Sequence, residues 1–125
     1  TINQLGLNGS NKLNDPVARV NLSTALIDDA ACTALAELLD SQSNSGIEIG
    51  SQSSIVKYAS TQIIKRGYEL RVAVSDLEDL KLGEDGQPGT MASNWLYSRA
   101  YTILGGTSEI QLNIIAKRLL NLPSK

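Results

Sequence analysis

The 125-residue chain contains no histidine and a single cysteine. The lack of histidine removes the commonest metal ligand and the commonest general base, and it excludes a Ser-His-Asp triad. A lone Cys32 excludes an internal disulfide and a multi-cysteine zinc site. We therefore predict no metal site, a reducing, cytoplasmic compartment, and a Cys32 that packs as a small buried hydrophobe.

Charge imbalance and long apolar runs are also missing. Eleven Lys and Arg against 13 Asp and Glu give a net charge of −2, which offers no basic surface for nucleic acid or an acidic membrane. No apolar run approaches the ~18 residues of a membrane span, and the N-terminus lacks signal-peptide features. The chain begins with Thr1, which suggests a processed chain or an excised fragment. Apolar residues make up 42% of the chain, enough to predict a folded core.

The first half of the chain predicts a polar leader and two long helices. Residues 1–13 are expected to be irregular, and Asn14-Asp15-Pro16 is a helix-start signal. Apolar residues recur at helical spacing up to about Asp40: Val17, Val20, Ile27, Ala31, Ala34 and Leu38. Residues 41–50 predict a loop. A second helix is predicted to begin near Ser53. Its apolar stripe comprises Val56, Ala59, Ile63, Gly67, Leu70, Val74 and Leu77. The glycine in this stripe suggests that another helix approaches closely at Gly67.

The second half predicts two more helices. Residues 82–90 form a loop by composition, and Met91 to Leu104 has a helical pattern that Gly105-Gly106 breaks. Thr107 or Ser108 then caps a last helix, which ends at Asn121-Leu122-Pro123. Its apolar face comprises Ile110, Ile114, Ile115, Leu119 and Leu120. We expect an all-α fold, an up-down four-helix bundle, over residues 14–125.

Several groups of residues allow a chemical and a structural interpretation. Ser53 or Ser54 with Lys57 matches S-x-x-K, but the companion motifs of such hydrolases are missing, so a helix start with a solvated or capping lysine is favoured. Asp76, Glu78 and Asp79 are interpreted as a solvated helix end rather than a cation site. An aromatic group is expected to pack in the core rather than line a pocket: Trp95, Tyr97 and Tyr101.

The stretch from Gly105 to Glu109 is the most informative. It places free amides at a helix N-terminus, where a phosphate or a polarised carbonyl can bind. Glu109 lies in the first turn, where the helix dipole favours an anion. The alternative is a plain corner between two helices.

The segment SRAYTILGGTSEIQLNIIAKRLLNLP, residues 98–123, closely resembles the C-terminal signature of the acyl-CoA dehydrogenase family. Looser similarity at Ser54-Ile55-Val56-Lys57, and at Asp15-Pro16 with Arg19, extends it over about residues 14–123. The resemblance implies the C-terminal helical domain of a longer flavoenzyme, whose N-terminal and middle domains are missing here. Such enzymes oxidise acyl-CoA substrates, pass hydride to FAD and electrons to an electron-transferring flavoprotein, and assemble as oligomers through these domains.

The resemblance also assigns individual residues. Gly105 occupies the position where many members carry the catalytic Glu; other members have Gly there and place the Glu upstream. The backbone N–H of Gly105 would donate to the thioester carbonyl, as in an oxyanion hole. Thr107 and Glu109 match positions that contact FAD. We expect the isolated chain to bind no FAD.

One family motif is not preserved. The Gln-x-x-Gly-Gly that binds the partner subunit's FAD aligns with Ala73-Val74-Ser75-Asp76-Leu77, which keeps neither the Gln nor the glycines. Three interpretations therefore stay open: a domain of an acyl-CoA dehydrogenase, a thioester flavoenzyme of altered chemistry such as an oxidase, or a catalytically degenerate assembly subunit of the same family.

Overall fold

A computed structural model describes residues 14–75, 80–81 and 91–123. Four α-helices are present in this part of the chain: α1, Pro16–Asn44; α2, Ser53–Val74; α3, Met91–Ser98; and α4, Ser108–Ile114. Two 3-10 turns, Gly50–Gln52 and Arg99–Thr102, and a π-helical turn, Ile115–Leu119, complete them. No strand occurs among the described residues, so the predicted all-α helical bundle is confirmed. The predicted leader 1–13, loop 82–90 and acidic group at 76–79 lie outside the described residues.

Helix α2 lies at the centre and packs against α1, α3 and α4. The core between α1 and α2 consists of Ala18, Leu22, Leu70 and Val74, with Ala25 packed against it. Of the stripe predicted for α2, Leu70 and Val74 are buried and the other described members are half-buried. The expected close approach at Gly67 is wrong, since a Cβ there would have no described atom within 4 Å.

The predicted apolar face of α1 is wrong. Val17, Val20, Ile27 and Leu38 are between 53% and 69% exposed, and the side chains turned towards α2 are those of Ala18 and Leu22. The helix has apolar residues on two faces. The face that packs against α2 is not the one that the spacing of apolar residues predicted. The outer face therefore remains unpartnered among the described residues.

The ends of α1 have clear local causes. The Asp15 carboxylate accepts hydrogen bonds from the amides of Val17, at 3.1 Å, and Ala18, at 3.3 Å, with Pro16 in the first turn, as predicted. At the other end the helix runs to Asn44, four residues beyond the predicted Asp40. Gly46, with φ of 79°, donates to Ser43 O, and Ile47 donates to Gln42 O, the pattern of a Schellman C-cap. Residues 41–44 are thus helical rather than part of the loop.

The two C-terminal helices are shorter than predicted. After Ser98 the chain tightens into the 3-10 turn, where the hydroxyls of Ser98 and Thr102 donate to the carbonyls three residues before them. Helix α4 passes into the π-helical turn after Ile114, and the segment ends before Asn121, whose φ is 49°. The predicted apolar face of this last helix is only partly covered: Ile110 and Leu120 are 52% and 62% exposed.

Candidate functional site

The Gly105-Gly106 corner joins the 3-10 turn to α4. Both glycines have positive φ, 71° and 101°, which confirms that the corner needs glycine. The Gly106 N–H donates to Ile103 O at 2.8 Å. None of the hydrogen bonds among the described residues uses the Gly105 N–H, and Gly105 is exposed. The corner thus presents one free backbone donor to a ligand.

Two side chains hold this corner from opposite sides. Lys57 on α2 donates from Nζ to Tyr101 O at 2.7 Å and to Thr61 Oγ1 at 3.1 Å. The buried Gln111 on α4 donates from Nε2 to Gly105 O at 3.2 Å. A Cβ on Gly105 would lie 3.7 Å from Lys57 Cε. Sequence patterns gave no sign of the contact from Lys57, because Lys57 and Tyr101 are 44 residues apart.

Thr107 and Glu109 form the N-terminal cap of α4. The Thr107 hydroxyl accepts from the Ile110 N–H at 3.3 Å, which confirms Thr107 as the capping residue. The pKa of Glu109 is lowered from its usual 4.5, first by the hydrogen bond from its own backbone N–H and second by the Thr107 hydroxyl. Both side chains are therefore engaged locally in the structure.

The S-x-x-K residues do not assemble a nucleophile. Ser53 Oγ donates to Gly50 O at 3.0 Å, Ser54 is buried, and neither hydroxyl bonds Lys57. The helix start at Ser53 is as expected. The lysine is half-buried, and its ammonium binds the carbonyl of Tyr101 in the 3-10 turn rather than either serine.

The aromatic residues near the corner are not core. Tyr97 and Tyr101 are 60% and 37% exposed and pack edge to face, with ring centroids 5.8 Å apart. Trp95 is half-buried beneath the Arg99 guanidinium, 4.6 Å from the ring centroid, and that guanidinium also pairs with Glu69 at 2.9 Å. The expected burial of the tyrosines is therefore wrong, since the described residues place nothing over them. Cys32 is half-buried and lines an open groove between α1 and α2 with Tyr58 and Ile63.

Neither a metal cluster nor a membrane helix occurs in the described part of the chain. No group of three His, Cys, Asp or Glu side chains comes together there. None of the helices in the same residues is long and apolar enough to cross a membrane.

Comparison with known proteins gives one decisive match. The family model described as "Acyl-CoA dehydrogenase, C-terminal domain" matches residues 6–120. This chain belongs to that family. It is also 46% identical over 55 residues to "Acyl-CoA dehydrogenase IpdE1" of Mycolicibacterium smegmatis, a stretch that covers 44% of this chain and 14% of that protein. No solved structure matches the chain significantly.

In this acyl-CoA dehydrogenase C-terminal domain, the described residues that align with the family's FAD-contacting positions make contacts within the domain. Val74, at a position of the family's Gln-x-x-Gly-Gly, is buried in the core, and Ser75 Oγ donates to Arg71 O at 2.8 Å. Asp76 lies outside the described residues. The Thr107 hydroxyl accepts from the Ile110 N–H at the start of α4 and lowers the pKa of Glu109.

Proposed function

We propose that this chain is the C-terminal helical domain of a longer flavin-dependent enzyme that introduces a double bond next to the thioester of an acyl-CoA. The longer protein supplies N-terminal and middle domains, passes its electrons to an electron-transferring flavoprotein, and assembles through its helical bundles. Membership of the family supports this function, and the sequence from Ser98 to Pro123 carries the strongest resemblance.

Within that enzyme the Gly105 N–H is the group that binds the thioester carbonyl. Removal of the α-proton drives negative charge onto the carbonyl oxygen, and a donor already fixed in place stabilises that charge without reorganising. The free N–H at an exposed corner is the single observation that carries this assignment. Gln111 and Lys57 hold the backbone on either side of it.

Gly105 has no side chain to remove a proton, so the base comes from outside this chain. FAD, when bound to the longer protein, supplies the acceptor for the hydride. The part played by the described residues is to orient and polarise the thioester carbonyl.

A second candidate is an assembly domain without flavin chemistry of its own. The loss of the family's Gln-x-x-Gly-Gly, which aligns with Ala73-Val74-Ser75-Asp76-Leu77, favours it, as does the exposed apolar face of α1. In this case the domain supports a catalytically active partner subunit.

An ester substitution separates the two functions. Replacing Gly105 with glycolic acid in the longer protein turns the N–H into an oxygen and keeps the chain's shape. If the N–H binds the carbonyl, kcat falls by about 100- to 1,000-fold, the usual loss for one such donor. The same replacement at Gly50, a glycine of positive φ whose N–H also has no hydrogen bond among the described residues, is the matched control. An unchanged kcat at residue 105 would reject the catalytic assignment and leave the assembly domain.

A further inference from the structure

We infer that Lys57 is a positioning residue for the Gly105 amide. This inference rests on the proposed function, because it explains how the donor that would bind the thioester carbonyl is held in place. It starts from the ammonium of the half-buried Lys57, whose hydrogen bonds among the described residues go to Tyr101 O and Thr61 Oγ1.

The hydrogen bond from Lys57 to Tyr101 is important because Tyr101 lies just before the Gly105-Gly106 corner. Tyr101 lies in the last 3-10 turn before the corner, and the amides of Ile103 and Leu104 both bond to Ala100 O within this turn. A hydrogen bond from α2 to the Tyr101 carbonyl therefore fixes the turn against the central helix of the bundle. The next free donor along the chain is the Gly105 N–H.

Thr61 holds the Lys57 ammonium in place. Its side chain is only 3% exposed, and its hydroxyl donates to Lys57 O at 2.8 Å while accepting from Lys57 Nζ. The same hydroxyl lies 3.5 Å from Tyr101 O. A charged donor held by a buried acceptor loses little further side-chain entropy when it binds the carbonyl, and such charge-assisted bonds are stronger than neutral ones.

The corner itself needs this restraint. Gly105 and Gly106 have no side chains to limit their backbone, and glycine samples positive and negative φ about equally. Gln111 holds only the carbonyl of Gly105. Without Lys57 the Gly105 N–H would be held only by neutral hydrogen bonds, from Gln111 and within the turn and corner backbone, and a shift of about 1 Å in a donor can cost up to 100-fold in rate.

The variant Lys57→Met tests the inference, with Lys57→Arg as the conservative change. Lys65→Met removes the same charge from the same helix and is the matched control, since no hydrogen bond or ion pair joins the Lys65 side chain to another described residue. On the 125-residue chain, NMR couplings of the Gly105 amide report its φ. We expect Lys57→Met to average these couplings, Lys57→Arg to restore them in part, and Lys65→Met to leave them unchanged.

In the longer protein the same variants give a kinetic readout. Lys57→Met should lower kcat by about 10- to 100-fold with little change in KM, because binding elsewhere on the acyl-CoA is untouched. Unchanged couplings at Gly105 in Lys57→Met would overturn the positioning role. Absence of any acyl-CoA turnover in the wild-type longer protein would instead overturn the proposed function, and the couplings would still decide the role of Lys57.

A measurement on the unmutated chain covers the case in which Lys57→Met does not fold. A scalar coupling across the hydrogen bond from Lys57 Nζ to the Tyr101 carbonyl carbon, with slow exchange of the ammonium protons, would support the inference. A freely exchanging ammonium with no such coupling would overturn it.

Discussion

Gln111 reaches back over the corner and donates a hydrogen bond to the carbonyl of Gly105 at 3.2 Å. Because of this contact, the two glycines of the corner differ in how much space they leave for a side chain. A Cβ on Gly106 would lie 2.7 Å from Gln111 Nε2, whereas a Cβ on Gly105 would lie 3.7 Å from Lys57 Cε, an ordinary contact. A side chain at position 106 therefore requires the Gln111 amide to shift away from its hydrogen bond, in addition to the strain of its φ, whereas one at position 105 meets only the strain of its φ.

We predict that Gly106→Ala destabilises the domain more than Gly46→Ala does. Both residues have positive φ, which costs a non-glycine residue about 1–3 kcal/mol. A Cβ on Gly46 has no atom within 4 Å, so that variant measures the backbone strain alone. The larger Gly106→Val should cost at least as much as Gly106→Ala.

Urea unfolding followed by circular dichroism measures the difference. Repeating both alanine variants in a Gln111→Ala background should bring the two losses closer together, because the overlapping amide is gone. Equal losses in the wild-type background would show that the Gln111 side chain moves aside at no cost.

A second prediction concerns the pH dependence of the α4 cap. Because the folded state lowers the pKa of Glu109, its carboxylate contributes stability at pH above the ordinary value of 4.5. That contribution is lost as the pH falls through the lower, folded-state pKa. Thr107→Val removes one of the two hydrogen bonds that lower it, so the Glu109 pKa should rise towards 4.5.

Titration of the Glu109 side-chain carbon by NMR measures this change. Ser108→Ala is the control, since the Ser108 hydroxyl has no part in lowering the pKa. A Glu109 pKa that stays equally low in Thr107→Val would mean that the Thr107 hydroxyl does not bind the carboxylate.

The caps were predictable because each depends on residues a few positions apart. Asp15 and Thr107 lie two or three residues before the amides from which they accept hydrogen bonds. Both caps can therefore be predicted from short segments of the sequence. The all-α class followed in the same way from apolar spacing. The Schellman end at Gly46 was also local, and the glycine in left-handed geometry was the signal that would have corrected the end of α1.

The tertiary choices were not predictable. Helix α1 carries apolar residues on both Ala18's face and Val17's face, and only the position of α2 decides which is covered. The link from Lys57 to Tyr101 joins two elements 44 residues apart. Such contacts depend on how the helices pack against each other, and the spacing of apolar residues within one helix does not determine that packing.

The uncovered face of α1 predicts self-association of the chain. Val17, Val20, Ile27 and Leu38 recur at intervals close to a heptad and are all more than half exposed. Burying one isoleucine against a second copy contributes about 1.5–3 kcal/mol. The change Ile27→Lys should therefore raise the dissociation constant of the oligomer at least about tenfold.

Sedimentation velocity over a concentration series measures that constant. Thr33→Lys places the same charge at an exposed polar position of the same helix and should leave association nearly unchanged. A wild-type chain that stays monomeric at high concentration would contradict the prediction, as would equal effects of the two lysines.

The last prediction is that Gly105→Glu does not create a working base. A non-glycine residue at a φ of 71° costs about 1–2 kcal/mol, so the corner should fold but be less stable. The new Cβ would lie 3.7 Å from Lys57 Cε, and the nearby ammonium favours the ionised, weakly basic carboxylate. The longer side chain would also occupy space beside the free N–H. We therefore expect slower acyl-CoA-dependent bleaching of the flavin in the longer protein.

Adding Lys57→Met to Gly105→Glu tests the cause of that loss. If the ammonium is what weakens the new carboxylate as a base, Gly105→Glu should slow bleaching less in the Lys57→Met background than in the wild-type background, whereas a Lys65→Met background should leave the effect of Gly105→Glu unchanged. Bleaching at the wild-type rate in Gly105→Glu would show that residue 105 lies away from the thioester. Faster bleaching than wild type would show that the domain accepts a base at this corner despite Lys57.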